Sequence, residues 1–424
     1  MQSRIRTNAG FLANLTFSIF SVIGIFLTTP LIIRNYEQDT YLLWSIVNSI
    51  CGLLFILDFG VTSVASREFL KSAGNPSEFS WSRWSRFRIF HNKILSIGAL
   101  FLLLIFYFQW QHENLVGFSF ENIFVFLFIL VGTVATILSH QQIIKFQIIN
   151  SYSKALVILA LIKIVETVIV FTLFALKINF ATITFLIGSI HVAQLLILRH
   201  MSNQILPPIS INVRDSQAIH FRFRNFISSV LYSASSVLGI HATFIIQTFL
   251  LMPNQILMVL LSRMIVSPIR IFADALAIGN FDRIIRVSLQ LDSQDFDSRK
   301  PANYTMRILV LFSLVYMLLL TIVGNHIITF LSYGKSSLNL LLIALFGLAT
   351  LMDGAIVIFM QASISSGNLR QLGSIYFGIT IFSFITLVFL AIGLDVYGGA
   401  LSIIICDCAF FLFVYISKKG RFSS

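Results

Sequence analysis

Ten ionisable side chains interrupt long apolar stretches of this sequence. They are Asp58, Lys163, Glu166, His191, His241, Arg263, Arg270, Asp274, Asp353 and Asp407. An ionised group taken out of water is strongly destabilised unless it is paired or hydrogen-bonded. Each of these residues therefore needs a partner, a water-filled cavity or a charged ligand, and together they are the first candidates for chemistry.

The two arginines give the clearest signal among these residues. Arg263 and Arg270 are seven positions apart, which places them on one face of a helix. Asp274 follows Arg270 by four positions and can pair with it, whereas Arg263 has no acidic neighbour at helical spacing. Guanidinium groups bind phosphate through two parallel hydrogen bonds. We therefore predict that Arg263 and Arg270 bind an anionic group, and that Pro268 between them kinks the helix.

The remaining charged residues allow two interpretations each. Lys163 and Glu166 are three positions apart and can form a structural pair. Coupling to protons or ions and structural pairing both stay open for the set Asp58, Asp274, Glu166, Lys163, Asp353 and Asp407. His191 and His241 are interpreted as hydrogen-bonded packing residues.

No cofactor or metal is predicted. The cysteines Cys51, Cys406 and Cys408 lie in apolar runs and do not have the spacing of a zinc site or a disulfide framework. The phosphate-binding pattern G-x-x-x-x-G-K-[ST] does not occur, which argues against direct use of ATP.

Composition identifies the elements that must carry these residues. Hydrophobic residues make up 57 %, charged residues 11 %, and the mean hydropathy is +0.90. Soluble domains have about 25 % charged residues, so we predict an all-α polytopic membrane protein. About twelve apolar runs are long enough to span a bilayer. They lie at about 9–33, 41–65, 93–110, 121–143, 154–176, 181–198, 226–250, 255–278, 305–324, 338–362, 371–393 and 396–416.

A polar segment divides these runs into six and six. The stretch ILPPISINVRDSQAIHFRFRNF at 205–226 contains the Pro-Pro pair and a basic stretch. We predict an N-terminal six-helix lobe at 1–200, a cytoplasmic linker at 201–225 and a C-terminal six-helix lobe at 226–424.

The positive charges predict the orientation. With a cytoplasmic N-terminus, 23 Lys and Arg residues fall in cytoplasmic segments and three, namely Arg34, Lys177 and Lys335, in external ones. This asymmetry favours a multi-pass protein of a bacterial inner membrane with both termini in the cytoplasm. It also accounts for the net charge of +12 without nucleic acid. The run at 9–33 exceeds the length of a signal-peptide core and is interpreted as the first span.

The stretch YEQDTYLLWSIVNSICGLLFILDFGVTSVASREF at 36–69 carries a family resemblance. It resembles the Wzx-type flippases of O-antigen units, in the multidrug/oligosaccharidyl-lipid/polysaccharide exporter superfamily. The matching positions are Tyr41, Trp44, Ser45, Leu57, Asp58 and Gly60. Leu42 departs from the pattern, since the family often has Gly there.

The resemblance implies two six-helix lobes around a central cavity that opens alternately to either side. The implied substrate is a polyprenyl-pyrophosphate-linked oligosaccharide, moved from the cytoplasmic to the periplasmic leaflet during lipopolysaccharide or other polysaccharide biosynthesis. Membrane lipids, a polysaccharide polymerase and chain-length proteins are the implied partners. The protein would then be a transporter rather than an enzyme.

Three alternatives stay open. A membrane-embedded polysaccharide polymerase or glycosyltransferase usually has a large external catalytic loop, and the predicted external loops are short. A drug or cation antiporter of the same superfamily favours an acidic cavity, and Arg263 and Arg270 argue against that. A lipid II flippase often has two further C-terminal spans, which are not predicted here.

Overall fold

A computed structural model of the chain describes residues 2–56, 81–111, 120–148, 151–205, 223–290, 299–334, 339–366 and 372–420. Within these ranges the secondary structure consists of twelve helices and the turns between them. The helices are α1 (Gln2–Asn35), α2 (Glu37–Gly52), α3 (Trp81–Gln111), α4 (Phe120–Ile148), α5 (Tyr152–Ala175), α6 (Phe180–Ile205), α7 (Phe223–Leu250), α8 (Pro253–Gln290), α9 (Arg299–Leu331), α10 (Leu340–Ser366), α11 (Leu372–Leu394) and α12 (Tyr397–Gly420).

Eleven of the described helices are long and apolar enough to cross a membrane. The remaining helix, α2, has 16 residues. The second predicted span, at 41–65, extends from α2 beyond the described residues. These helices confirm the predicted all-α membrane class. A helix suits the lipid interior because it satisfies its backbone hydrogen bonds internally.

The outward faces of the helices suit a lipid solvent. On α9, Leu311, Leu318 and Ile322 are 66 %, 64 % and 68 % exposed. Their spacing of seven and four places them in one stripe along the helix. Such a stripe of large apolar side chains is stable beside acyl chains.

The chain divides into two compact units, Met1–Ser233 and Ala234–Ser424, and the boundary falls inside α7. In the first unit, α4 packs along α6 and α1 packs along α5. In the second unit, α8 packs along α10 and α11 packs along α12. The core of the second unit includes Ile269 and Ala273 of α8 with Leu309 of α9 and Val357 of α10.

Glycine permits the close contact of α4 with α6. A Cβ atom at Gly188 would lie 2.7 Å from the carbonyl oxygen of Phe128, and one at Gly132 would lie 3.3 Å from Cα of Gly188. Small residues allow helix backbones to approach closely in membranes, where packing rather than water exclusion drives association. The close approach also places the hydroxyl oxygen of Thr136 on α4 3.2 Å from Nδ1 of His191 on α6.

We predict that Gly188→Ala destabilises the protein by about 1–3 kcal/mol, because a backbone carbonyl cannot move away as a flexible side chain can. The check is the thermal unfolding midpoint of the full chain in detergent. Gly378→Ala in α11 is the matched control, since a Cβ atom there meets nothing within 4 Å. Equal midpoints for the two variants would contradict the packing account.

Candidate functional site

Arg270 of α8 is the centre of an ion-pair cluster in the second unit. Its Nε lies 3.2 Å from Oδ1 of Asp274, one turn along the same helix. Its Nη1 forms an ion pair with Oδ2 of Asp353 on α10. Its Nη2 lies 3.2 Å from the hydroxyl oxygen of Ser236 on α7. Arg270 is therefore neutralised by acids of its own lobe.

The two ion pairs of Arg270 differ in burial. The side chains of Arg270 and Asp353 are 17 % and 18 % exposed, whereas that of Asp274 is 43 % exposed. The contact between α8 and α10 is close because Gly354 follows Asp353, and a Cβ atom there would lie 2.9 Å from Cβ of Ala273. The bridge from Arg270 to Asp353 is thus the better shielded and the more costly to break.

Asp407 of α12 lies near this cluster and is 1 % exposed. Tyr376 of α11 donates a hydrogen bond to its carboxyl group, and the positive charge of Arg270 acts on it. The oxygen Oδ2 is buried and has no hydrogen-bond partner among the described residues. A carboxyl group so placed is sensitive to any change in the charge around Arg270.

Arg263 has a different environment from Arg270. Its Nη2 donates a hydrogen bond to the carbonyl oxygen of Ile240 on α7 at 2.9 Å. Its Cζ lies 5.8 Å from the ring centroid of Phe244. Among the described residues, none of the carboxylates forms an ion pair with Arg263. It keeps its positive charge at membrane depth, and a guanidinium has further N–H donors to offer a ligand.

The proline between the two arginines is accommodated inside α8. Pro268 has no N–H group, so the carbonyl of Met264 loses its helical donor. The hydroxyl of Ser267 donates to that carbonyl at 2.7 Å. The hydroxyl of Tyr316 on α9 donates to the next carbonyl, of Ile265, also at 2.7 Å. Side chains thus satisfy the backbone that lies between Arg263 and Arg270.

The first unit holds a separate charged pair. Nζ of Lys163 lies 2.7 Å from Oε1 of Glu166 on α5, and Glu166 is 8 % exposed. His191 of α6 lies near this pair, and its Nδ1 is 3.2 Å from the hydroxyl oxygen of Thr136 on α4. Lys163 and Glu166 therefore compensate each other within one turn of helix.

The structure brings some of the predicted site residues into contact and keeps others apart. It brings Arg270, Asp274 and Asp353 into contact, with Asp407 close by, and it places Arg263 apart from these acids. Asp58 lies outside the described residues. No group of three or more His, Cys, Asp or Glu side chains suited to a metal ion occurs in the described part of the chain.

Sequence analysis missed Ser236 and Tyr376, the neutral partners of the Arg270 cluster, and Tyr316, which donates to the backbone beside Pro268. Ser236 is one of three serines at 233–236, and Tyr316 and Tyr376 lie in apolar runs, so nothing in the spacing of these residues marks them. Lys145 is one of the 23 Lys and Arg residues assigned to cytoplasmic segments by their position, and it lies in the last turn of α4, where it is 4 % exposed. Burial of that kind depends on neighbouring helices, which sequence periodicity does not identify.

Comparison with known proteins shows the fold. No model of a known protein family and no curated protein matches the sequence. Among solved structures, a MATE protein in complex with MaL6 is similar with a TM-score of 0.66 and 12 % identity over 98 % of both chains. An outward-facing multidrug resistance MATE transporter of the MOP superfamily gives a TM-score of 0.67 and 12 % identity, over 98 % of this chain and 96 % of that one.

A third similar structure is informative about polarity. It is a MOP superfamily transporter from Pyrococcus furiosus, with a TM-score of 0.63 and 12 % identity over 99 % of this chain and 96 % of that one. Its reversed binding-pocket polarity was taken to suggest a different function. The chain thus has the helical fold of MATE transporters of the MOP superfamily, the superfamily named from residues 36–69. At this identity the similarity shows the fold alone.

We predict that Asp353→Asn costs about 1–3 kcal/mol of folding free energy, because it leaves the partly buried Arg270 with a weaker partner. Asp274→Asn should cost less than about 1 kcal/mol, since that pair is more exposed. The check is a double-mutant cycle with Arg270→Gln, measured by thermal unfolding in detergent. If the Arg270→Gln/Asp353→Asn double variant were no more stable than Asp353→Asn alone, the bridge would not be the stabilising contact.

Proposed function

We propose that this protein is a flippase that moves a polyprenyl-pyrophosphate-linked oligosaccharide, such as an O-antigen repeat unit, from the cytoplasmic to the periplasmic leaflet by alternating access. The MATE-type fold supports the transporter class. The observation that supports an anionic cargo is Arg263, a cation at membrane depth that none of the described carboxylates neutralises.

The chemistry of the cargo fits this residue. A pyrophosphate head cannot enter hydrocarbon without compensation of its charge. A guanidinium with free donors supplies both a positive charge and directed hydrogen bonds. In the proposed mechanism Arg263 binds the pyrophosphate group, while Phe244 and the Ile240 carbonyl keep its side chain in place.

The Arg270 cluster takes a second role in this proposal. Its arginine is neutralised by Asp274 and Asp353, so it binds the anionic head only when one of those pairs opens. Protonation of Asp353 or Asp407 would free positive charge on Arg270, which links cargo binding to a proton. Lys163 and Glu166 are proposed to be structural, because they compensate each other.

The setting of the protein follows from the same proposal. We place it in the bacterial inner membrane with both termini in the cytoplasm, as the distribution of Lys and Arg predicts. Its partners would then be the lipid-linked oligosaccharide, membrane lipids, and the polymerase and chain-length proteins that act on the same repeat unit.

A second candidate, export of an organic cation by antiport, is favoured by one observation. Three carboxylates, those of Asp274, Asp353 and Asp407, surround the single guanidinium of Arg270. An acidic excess of this kind would attract a cationic drug. The two candidate functions differ in the sign of the charge on the cargo. Arg263 favours an anionic cargo, and the three acids favour a cationic one.

We predict that Arg263→Gln lowers surface polysaccharide roughly 10- to 100-fold, because a charge-assisted hydrogen bond to the cargo is lost. Arg263→Lys keeps the charge without the planar donor fork and should retain an intermediate amount. The measurement is polysaccharide on cells whose own copy of the gene is deleted and replaced by each variant.

Two controls make this result interpretable. The amount and monodispersity of each purified variant exclude a folding defect. Arg307→Gln removes an exposed cation from α9, outside the proposed site, and should leave polysaccharide unchanged. A wild-type amount of surface polysaccharide in Arg263→Gln cells would exclude Arg263 from the cargo site. The cation antiporter would then be the better-supported function.

A further inference from the structure

A histidine lies beside Arg263 in the hairpin that α7 and α8 form. The two helices are joined by the short connection Leu251–Met252, so residues equally far from this connection lie side by side. His241 lies nine residues before the end of α7 at Leu250, and Arg263 lies ten residues after the start of α8 at Pro253. At a rise of about 1.5 Å per residue, both lie about 15 Å from the connection, which is half the depth of a hydrocarbon core of about 30 Å.

Contacts between the two helices agree with this pairing. Nη2 of Arg263 donates at 2.9 Å to the carbonyl oxygen of Ile240, the residue before His241. The ring of Phe244, whose centroid lies 5.8 Å from Cζ of Arg263, is three positions after His241 and therefore on the same helix face. The positive charge of Arg263 also acts on the His241 ring. The imidazole is therefore a direct neighbour of the guanidinium.

Both side chains keep unused hydrogen-bonding groups. Sequence analysis interpreted His241 as a hydrogen-bonded packing residue, but among the described residues it has no hydrogen-bond partner. Arg263 uses one of the several N–H groups of a guanidinium. Both residues are only partly buried, whereas Ser262 and Met264 on either side of Arg263 are 1 % and 7 % exposed. The two basic side chains are therefore accessible to a ligand within an otherwise buried stretch.

The charges around His241 are positive. Among the described residues, the charged group that acts on its ring is Arg263. Three acids of this unit surround Arg270, two turns further along α8, namely Asp274, Asp353 and Asp407. Imidazole is the side chain that gains or loses a proton near neutral pH. A proton on His241 would place two like charges side by side, whereas an anion bound between the two side chains would attract both charges.

We propose that Arg263 and His241 together bind the pyrophosphate head, and that His241 takes up a proton when the head binds. The guanidinium contacts one phosphate through its free N–H groups, and the imidazolium donates to the other. The proton passes from water to the free ring nitrogen and returns to water when the head leaves. This inference rests on the proposed function, and it adds a residue that links the cargo to protons independently of the Arg270 cluster.

The test is isothermal titration calorimetry of the full chain in detergent, with farnesyl pyrophosphate as the probe. Titrations near neutral pH in two buffers of different ionisation enthalpy give the number of protons taken up for each probe molecule bound. Wild-type protein should take up more protons than His241→Gln, whose amide is polar but does not titrate. Proton changes on the probe itself are common to both proteins and cancel in the difference.

The pH dependence of binding follows from the same linkage. Because the complex of the wild-type protein holds the additional proton, its affinity for farnesyl pyrophosphate should rise as the pH falls. The rise relative to His241→Gln should reach at most about tenfold for each pH unit, the limit for one linked proton. The measurement is the dissociation constant of each protein across the neutral range.

The matched control is His326→Gln, which removes an exposed histidine of α9 outside the proposed site. It should keep the wild-type affinity and the wild-type proton uptake. Farnesol has the same tail without the phosphates and should cause no proton uptake. The monodispersity of each purified variant excludes a folding defect, and His241→Asn replaces His241→Gln if the latter does not fold.

The possible failures separate this inference from the proposed function. Farnesyl pyrophosphate binding with equal proton uptake in wild-type protein and in His241→Gln would overturn the role of His241 and leave an anionic cargo supported. The same holds if His326→Gln loses as much uptake as His241→Gln. Arg263→Gln should weaken binding of the probe. Binding that is unchanged in Arg263→Gln, or absent from the wild-type protein, would overturn both proposals.

Discussion

The cost of holding charge at membrane depth is the constraint on which the site depends. An ionised side chain near the bilayer centre is unfavourable by roughly 2.5–3.5 kcal/mol on insertion scales. The chain meets this cost in two ways. Arg270 and Lys163 are paired with acids of their own lobe. Arg263 instead lies against a backbone carbonyl and an aromatic ring, which leave its charge in place.

This difference separates charged residues that stabilise the inside of one lobe from a charged residue that is available for the proposed cargo. A guanidinium that is already neutralised offers little to an anion unless its partners are first removed or protonated. A guanidinium held by neutral groups attracts an anion directly. The Pyrococcus furiosus structure, which was associated with reversed pocket polarity, has a similar fold. Fold alone therefore does not determine the cargo, and the sign of the charge at the site is the informative property.

The sequence predicted much of the fold for physical reasons. Long apolar runs ending in Lys and Arg predict helices that span a bilayer, and the described helices lie close to the predicted runs. Spacing also predicted the contact of Arg270 with Asp274 and that of Lys163 with Glu166, because residues three and four apart meet on a helix.

Contacts between different helices could not be predicted from apolar runs or from residue spacing within one helix. Asp353 and Tyr376 are far from Arg270 and Asp407 in the sequence, and only the packing of α8 with α10 and of α11 with α12 brings them close. The burial of Lys145 has the same origin, since it needs α3 and α6 on either side. The predicted role of Asp58 rests on residues 36–69 and stays a prediction.

The central claim is that Arg263 makes the protein select an anionic head. The most direct measurement is transport by the purified wild-type chain in proteoliposomes, with two fluorescent cargoes compared under the same proton gradient. A polyprenyl-pyrophosphate-linked sugar should change leaflet at a rate well above that of protein-free vesicles, and ethidium should not cross faster than in those vesicles. Rapid ethidium transport without movement of the pyrophosphate lipid would contradict the account.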